Sequence, residues 1–329
     1  MTSPDIQKLL DARLTDAQFP QFPNFERGKV RDSYDLPDGR RIMIATDRQS
    51  AFDTVLAAVP YKGQVLNQTA QFWFEKTKDI CPNHVVDYPD PNVVVGRKLK
   101  MLPVEMVVRD YLTGSTDTAI WPMYNRGERV VYGQRLPDGL VKNQKLPETI
   151  LTPTTKAMGP GGHDEPITAQ KIVERGLLTQ DQWDELARTS LELFARGREI
   201  AAANGLILVD TKYEFGVDEN GVITLADEVH TPDSSRFWHV ASYEERLAAG
   251  KEPESLDKEF LRLWVAARCD PYKDPIPEIP GETIVEFSEK YIKLYETVTG
   301  QPFQRQPLDQ PTRDRVEANL KKAFPEYFK

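Results

Sequence analysis

Alternating apolar and polar positions predict that the first part of the chain is rich in strands. Segments 25–36 and 41–46 carry β-branched, aromatic and apolar residues on either side of Pro37-Asp38-Gly39, a turn signal. We expect these segments to form a hairpin with Gly28 near the middle of its first strand. The other elements predicted in this part are a helix over 65–78 and strands over 93–95 and 104–108.

Helical patterns dominate the rest of the chain, apart from one further hairpin. The predicted helices are 169–174, 179–203 and segments on either side of the Pro-rich stretch 271–280. This order, with strands first and helices last, differs from the regular βαβ alternation of a dinucleotide-binding fold. We therefore predict an α+β fold of antiparallel sheets with flanking helices. A sheet-rich lobe over 1–103 packs on a larger mixed lobe over 104–329 that includes the C-terminal helices, with a cleft between them.

The hairpin predicted over 206–229 carries a charged face. Alternation places Asp210, Lys212 and Glu214 on one face of its first strand and apolar residues on the other. Asn220-Gly221 is the strongest two-residue hairpin signal, because both residues tolerate positive φ in a type I′ turn. With that tip, Glu214 lies directly opposite Asp227.

Two opposed carboxylates destabilise a sheet unless something neutralises them, because their Cβ atoms lie about 5 Å apart. Mg²⁺ binds one or two protein carboxylates and completes its shell with phosphate oxygens and water, so this pair suits a Mg-nucleotide site. An equally good alternative is a solvated face whose acids pair with Lys212. The inference depends on register, since a three-residue loop moves Asp227 to the opposite face.

Several other polar segments have residues suited to anion binding, and each also has an ordinary structural explanation. They are a glycine beside two cations at 28–32, an arginine, glycine and hydroxyl at 109–115, and polar loops at 46–53, 159–163 and 230–236. The corresponding alternatives are a charged edge strand, a strand exit with a helix N-cap, and surface loops or turns.

Composition excludes several function classes. The 329 residues include 42 basic and 51 acidic side chains, and the formal charge of -9 opposes non-specific attraction to nucleic acid. The sequence contains no apolar run of the about 20 residues that span a bilayer and no signal peptide at its start, so we expect a cytoplasmic protein without membrane contact. Two isolated cysteines and four scattered histidines suggest neither a disulfide framework nor a zinc hydrolase.

Seven sequence blocks identify a resemblance to a known family. GKVRDSYDL, TDRQSAFD, PYKGQVLNQTAQFWF, VVRDYLTGS, LTPTTKA, LVDTKYEFG and DEVHTPDSSRFW stand in the order expected of phosphoribosylaminoimidazole-succinocarboxamide synthases, or SAICAR synthetases. The chain resembles this family through Trp238. The resemblance implies a two-lobed α+β fold related to ATP-grasp enzymes, with ATP in the interlobe cleft. It also implies ligation of carboxyaminoimidazole ribonucleotide (CAIR) with L-aspartate in purine biosynthesis, with ATP converted to ADP and phosphate.

The resemblance also implies roles for individual residues. Those expected to bind ATP are Gly28, Lys29, Val30 and Arg31 over the phosphates, Lys100, Met101 and Leu102 at the interlobe hinge against adenine, and Lys212 on a phosphate. Glu214 and Asp227 would hold Mg²⁺. The ribonucleotide's phosphate would be gripped by Arg109, Ser115 and Arg236, with Asp210 near its ribose or base. Ser50 and Asp53 would face the imidazole carboxylate and aspartate.

The implied mechanism needs no covalent enzyme intermediate. The CAIR carboxylate attacks the γ-phosphate to give an acyl phosphate, which the aspartate amine displaces, while Lys212, Asp210 and Arg109 position and neutralise the reacting groups. Two other hypotheses remain open: another ATP-dependent ligase or small-molecule kinase on the same fold, and a non-catalytic nucleotide-binding or scaffold protein. We expect a monomer or small homo-oligomer. Lys156 is offset from the lysine of shorter relatives, so the resemblance assigns it no role.

Overall fold

A computed structural model of the chain describes residues 3–52, 54–116, 118–156, 164–255, 259–271 and 273–329. Its helices are α1 Ser3–Asp11, α2 Lys62–Thr77, α3 Ile120–Asn125, α4 Ala169–Glu174, α5 Gln180–Ala203, α6 Val240–Ala248, α7 Glu259–Ala266, α8 Gly281–Thr299 and α9 Thr312–Ala323. Its strands are β1 Phe25–Arg27, β2 Arg31–Asp35, β3 Arg40–Ala45, β4 Arg48–Ala51, β5 Thr54–Ala58, β6 Val85–Asp90, β7 Val93–Arg97, β8 Lys100–Tyr111, β9 Val130–Val131, β10 Gln134–Arg135, β11 Lys145–Leu151, β12 Thr154–Thr155, β13 Glu165–Pro166, β14 Leu206–Val217, β15 Ile223–Ala226 and β16 Ser235–His239.

The chain divides into two compact units. Unit 1 comprises Met1–Phe72, His84–Lys98 and Leu256–Lys329, and unit 2 comprises Trp73–Asn83 and Leu99–Ser255. The predicted division at residue 103 placed the C-terminal helices in the second lobe, whereas the structure groups them with the N-terminal strands. The physical reason is burial, because α8 and α9 have apolar faces that pack on the cores of unit 1.

Unit 1 is built on a five-stranded antiparallel sheet in the order β1-β2-β3-β7-β6. Tyr34, Ile42 and Ile44 from this sheet pack against Val316 and Leu320 of α9. A second core joins α8 to the start of α2 and to α7. Helix α9 therefore contributes to the stability of the sheet that carries the 28–32 segment.

The predicted hairpin around Gly39 is confirmed, but the expected position of Gly28 is wrong. Strands β2 and β3 pair antiparallel, and Gly39 takes the positive φ of +82° that its turn requires. The segment 25–36 is not one strand, since β1 pairs with β2 and the chain reverses at residues 28–30, here called the 28–30 turn. A Cβ at Gly28 would lie 2.9 Å from the carbonyl oxygen of Arg31, so the tight reversal favours glycine.

Unit 2 is built on a sheet in the order β13-β12-β8-β14-β15, with β11 also pairing with β8 and β16 with β14. All of these pairings are antiparallel. Helix α5 matches its predicted span: Thr179 forms a capping box with Gln182, and Gly205 takes a φ of +74° just after the helix. The central strands β8 and β14 carry the charged residues described below.

No helix in the described part of the chain is long and apolar enough to cross a membrane. The two cysteines are free thiols, Cys81 buried and Cys269 half-buried. Burial raises the pKa of Cys81 to about 11, so this thiol stays protonated at neutral pH.

Candidate active site

A row of three charged residues crosses three neighbouring strands of unit 2. Asp210 on β14 lies opposite Arg109 on β8 and opposite Arg236 on β16. One oxygen of the Asp210 carboxylate accepts hydrogen bonds from both guanidinium groups, at 3.1 Å from Arg109 Nη1 and closer from Arg236 Nη1. Two cations thus flank one anion, and the row carries a net positive charge.

Arg109 is held rigidly within this row. Its side chain is only 7% exposed, and it donates to Thr152 Oγ1 at 2.8 Å and to the Thr118 carbonyl at 3.3 Å as well as to Asp210. Burial lowers the pKa of Arg109, Asp210 raises it and Arg236 lowers it further. The excess positive charge is therefore poorly solvated, which suits binding of a dianionic phosphate.

The turn after β8 lies beside the outer arginine of this row. Gly114 has a φ of +103°, and a Cβ there would lie 2.4 Å from the Ala119 Cβ and 3.6 Å from Arg236 Nη2. A side chain at this position would therefore clash with Ala119 and would be strained by the positive φ. Ser115 follows Gly114 directly and is exposed. The structure thus brings together the predicted Arg109, Asp210 and Arg236, with Ser115 in the adjoining turn.

A second charged cluster lies further along β14 on the same face. Lys212 donates to Glu105 Oε1 at 2.8 Å and to Glu214 Oε1 at 2.5 Å. Lys156 forms an ion pair with the other Glu214 oxygen, and Thr154 Oγ1 donates to Glu105 Oε2 at 2.9 Å. The predicted charged face of β14 is confirmed, and Lys156 acquires a definite partner.

Glu105 is the member of this cluster that sequence analysis missed. It lies on β8 directly opposite Glu214, so the opposed carboxylates are Glu105 and Glu214. Lys212 contacts both carboxylates, and Lys156 supplies a second positive charge at Glu214. The available signal was an acidic residue inside the apolar run of 104–108, but its meaning depended on a strand pairing between distant parts of the chain.

Electrostatics keep Lys212 charged in this setting. Burial opposes the ammonium charge, but Glu214, Glu105 and Asp227 together raise the pKa of Lys212 well above its usual value. Burial also raises the pKa of Glu105, and Lys212 opposes that rise. Lys212 therefore stays charged at neutral pH.

The predicted register of the acidic hairpin is wrong by one residue. Glu214 lies opposite Ala226, not Asp227. The loop is longer than predicted because the side chain of Asp218 accepts hydrogen bonds from two backbone N–H groups within it, and Gly221 takes a φ of +79°. Asp227 follows the end of β15 with a φ of +62°, and its charge still acts on Lys212.

Glu214 and Asp227 are carboxylates of the kind that binds magnesium, although both Glu214 oxygens contact lysines in this structure. Within the described ranges no three His, Cys, Asp or Glu side chains are grouped so that they could hold a metal by themselves. Mg²⁺ needs only one or two protein carboxylates when phosphate oxygens complete its shell. Glu214 and Asp227, which both act on Lys212, supply carboxylates of that kind.

The loop over 227–234, between β15 and β16, is anchored near its centre by a buried histidine. His230 is fully buried with a φ of +47°, and its Nε2 lies 3.1 Å from the Tyr213 hydroxyl. A Cβ on Gly197 of α5 would lie 2.7 Å from the same nitrogen. Within the predicted polar segment 230–236, His230 is therefore a buried core residue.

Replacing His230 should change how stability depends on pH. Burial lowers the pKa of His230 to about 3, so below pH 6.5 the unfolded chain binds a proton that the folded chain excludes. The wild-type protein then loses stability as pH falls, by about 1.4 kcal/mol per pH unit. We expect His230→Asn, which tolerates positive φ, to be less stable at pH 7. The deficit should shrink by about 2 kcal/mol at pH 5.

Urea unfolding of both proteins at the two pH values measures this difference. Asp47, which is also buried and whose pKa is raised to about 6, is present in both proteins and cancels in the comparison. An equal deficit at pH 7 and pH 5 would contradict a neutral buried imidazole.

The remaining predicted residues lie in both units. In unit 1, Gly28, Lys29 and Val30 form the 28–30 turn and Arg31 begins β2, while Ser50 lies half-buried on β4. In unit 2, Lys100, Met101 and Leu102 begin β8, the first two exposed and Leu102 buried. Asp53 and the 159–163 loop lie outside the described residues.

The sequence motifs and this geometry agree with a known family. A SAICAR synthetase family model matches residues 24–279. The chain belongs to the SAICAR synthetase family. A relative from Agrobacterium fabrum, named putative phosphoribosylaminoimidazole-succinocarboxamide synthase 2, is 60% identical over 312 residues, covering 95% of this chain and 98% of the relative.

Solved SAICAR synthetases share the fold. A SAICAR synthase from Saccharomyces cerevisiae, complexed with SAICAR, superposes with a TM-score of 0.77 at 33% identity, covering 89% of this chain and 100% of that one. A SAICAR synthetase in complex with ADP gives a TM-score of 0.64 at 25% identity, covering 86% and 100%. The predicted family, α+β fold class and enzyme class are thereby confirmed. Like other SAICAR synthetases, this is a carbon–nitrogen ligase of purine biosynthesis.

Proposed function

We propose that the chain binds CAIR and ATP on the charged face of β14. It joins the CAIR carboxylate to L-aspartate and converts ATP to ADP and phosphate. The observation that carries this proposal is the spacing on one strand. Asp210 and Lys212 are two residues apart, or about 7 Å along a strand, and Glu214 lies about 7 Å further on. The arginine row and the lysine cluster therefore place two charged groups on one face, one for each phosphorylated ligand.

The arginine row is proposed to hold the ribonucleotide's phosphate. Arg109 and Arg236 present guanidinium groups with excess positive charge, and Ser115 offers a hydroxyl in the adjoining turn. Asp210 both orients the two arginines and is available to the ribose or base. The yeast relative's complex with SAICAR supports a site for this class of ligand.

Two groups of residues are proposed as ATP contacts. One is Lys212 at a phosphate, with Lys100, Met101 and Leu102 near adenine. The other is Gly28, Lys29, Val30 and Arg31 at the phosphates. The relative in complex with ADP supports use of this nucleotide. Magnesium would be held by Glu214 and Asp227, and it supplies neutralisation of phosphate charge when bound.

The proposed chemistry proceeds in two displacements. A CAIR carboxylate oxygen attacks the γ-phosphorus, the bond to the ADP oxygen breaks, and an acyl phosphate forms. The neutral aspartate amine then attacks the acyl carbon, phosphate leaves, and the amine loses its proton as the amide forms. Lys212 neutralises charge on the transferring group, and Arg109 with Asp210 fixes the ribonucleotide. Ser50 and Asp53 are proposed to face the carboxylate and aspartate.

An ADP-release assay with each substrate omitted in turn tests this function. We expect ADP formation only when CAIR, L-aspartate and ATP are all present, apart from a single turnover with CAIR and ATP alone. Steady ADP formation without CAIR would contradict the proposal. Turnover with a different acceptor in place of aspartate would instead favour another ligase or kinase on the same fold.

The cellular setting follows the same proposal. All three ligands are small molecules of central metabolism, and the formal charge of -9 disfavours nucleic acid as a partner. We propose that the enzyme acts in the cytoplasm, without membrane or nucleic-acid partners, as a monomer or small homo-oligomer.

A further inference from the structure

Arg48 at the start of β4 lies under the 28–30 turn. Its guanidinium has five N–H donors, and the structure gives five contacts. Nε lies 3.2 Å from the Lys29 carbonyl oxygen, Nη1 lies 2.8 Å from the Thr15 carbonyl oxygen and 3.1 Å from Asp32 Oδ2. Nη2 lies 2.9 Å from the Gly28 carbonyl oxygen and 2.6 Å from Asp32 Oδ1. All five donors are therefore engaged within the protein.

These contacts set the direction of the peptide groups in the turn. The carbonyls of Gly28 and Lys29 accept from Arg48, and the Val30 carbonyl accepts from the Thr46 N–H and Oγ1 at 3.0 and 2.7 Å. In a trans peptide the C=O and N–H bonds point in opposite directions. The N–H groups of Lys29 and Val30 are therefore directed to the side of the turn away from Arg48. Neighbouring amides that share one side are suited to phosphate oxygens.

Arg48 is itself fixed by a buried carboxylate. Asp32 is fully buried, and its Oδ2 also accepts from the Ala17 N–H at 3.0 Å. The Arg48 side chain is 10% exposed. Arg27 Nε also lies 3.6 Å from Asp32 Oδ1. Because the Asp32 carboxylate compensates much of the charge of Arg48, the effect of Arg48 on the turn acts mainly through hydrogen-bond geometry.

We infer that Arg48 is a positioning residue for ATP binding. Arg48 holds the 28–30 turn with its carbonyl groups directed inward, so that the backbone amides are presented to the ATP phosphates. The inference rests on the proposed contact between this turn and ATP. It assigns a role to a residue that touches no substrate, and it accounts for why the turn has a defined shape with only one glycine.

Arg48→Lys is the direct test. Lysine keeps the charge beside Asp32 but has three donors in place of five, so the carbonyls lose defined partners. We expect the KM for ATP to rise about tenfold, which corresponds to about 1.4 kcal/mol of binding free energy, the size of one lost charge-assisted hydrogen bond. The KM values for CAIR and L-aspartate should stay within about twofold of wild type.

Arg315→Lys is the matched control. Arg315 on α9 is 12% exposed and forms an ion pair with the fully buried Asp90, as Arg48 does with Asp32. Both variants should lose thermal stability, but only Arg48→Lys should raise the KM for ATP. If Arg48→Lys does not fold, the double variant Asp32→Asn with Arg48→Met removes both buried charges together and should still show the raised KM.

Gly28→Ala separates failure of this inference from failure of the proposed ATP site. Its Cβ would meet the Arg31 carbonyl oxygen at 2.9 Å and distort the turn without touching Arg48. If Gly28→Ala raises the KM for ATP but Arg48→Lys behaves like Arg315→Lys, the positioning role is overturned and the ATP site stands. If neither variant raises it, the contact between the turn and ATP is wrong and the inference fails with it.

Discussion

Asp227→Asn should reduce turnover by about 10³-fold or more and weaken binding of Mg-ATP. The substitution removes one of two carboxylates proposed to hold magnesium while it preserves size. It also preserves the backbone, because Asp227 has a φ of +62° and asparagine tolerates this conformation as well as aspartate does. A loss of activity would therefore result from the missing carboxylate charge and not from a changed backbone.

ADP release with all substrates measures turnover, and calorimetric titration with ATP, with and without Mg²⁺, measures binding. Glu219→Gln is the matched control, since Glu219 is an exposed acid at the tip of the same hairpin and its substitution also exchanges a carboxylate for an amide. Raising the Mg²⁺ concentration should partly restore Asp227→Asn. Turnover within about tenfold of wild type would show that Asp227 is not a magnesium ligand.

Local signals were enough to predict most helices and one hairpin. Helix α5 has a complete capping box at Thr179 and a glycine after its end, and the β2–β3 hairpin has Pro-Asp-Gly at its turn. Each of these depends on residues close in sequence, whose preferences are determined by the local backbone. The charged face of β14 was predictable for the same reason, because strand alternation is a local rule.

Features that depend on distant parts of the chain were not predictable. Glu105 lies opposite Glu214 because β8 pairs with β14, and the Arg48 contacts beneath the 28–30 turn require β4 to lie next to it. Helix α9 joins unit 1 by packing on the apolar face of its sheet, and α8 joins it by packing against α7 and the start of α2. No local pattern in a single sequence specifies such pairings.

The one-residue error at the acidic hairpin has a different origin. Asn220-Gly221 favours a two-residue turn, but the side chain of Asp218 binds two loop N–H groups and stabilises a longer loop. Two local preferences competed, and the side-chain hydrogen bonds determined the result. The position of Asp227 then depends on its positive φ and not on the strand alternation from which it was predicted.

Lys212→Met should reduce turnover by about 10²- to 10³-fold, because it removes a fixed cation from the proposed phosphate site. It should also reduce the free energy of unfolding by about 2 kcal/mol, since Glu105 and Glu214 would then oppose each other and, among the described residues, Lys156 would be the cation left in contact with them. This cost is below that of a fully buried pair because the Lys212 side chain is 31% exposed. Lys212→Arg, which keeps the charge, should retain more stability and activity.

A double variant separates the catalytic role of Lys212 from its structural one. Glu105→Gln removes one of the two opposed carboxylates, so Lys212→Met with Glu105→Gln should recover most of the lost stability without recovering turnover. The pH dependence gives a second check. Burial already raises the pKa of Glu105, and without Lys212 it rises further, so the stability deficit of Lys212→Met should shrink as pH falls from 7 to 5. If the double variant regains both stability and turnover, Lys212 serves the fold alone and the phosphate contact proposed for it is wrong.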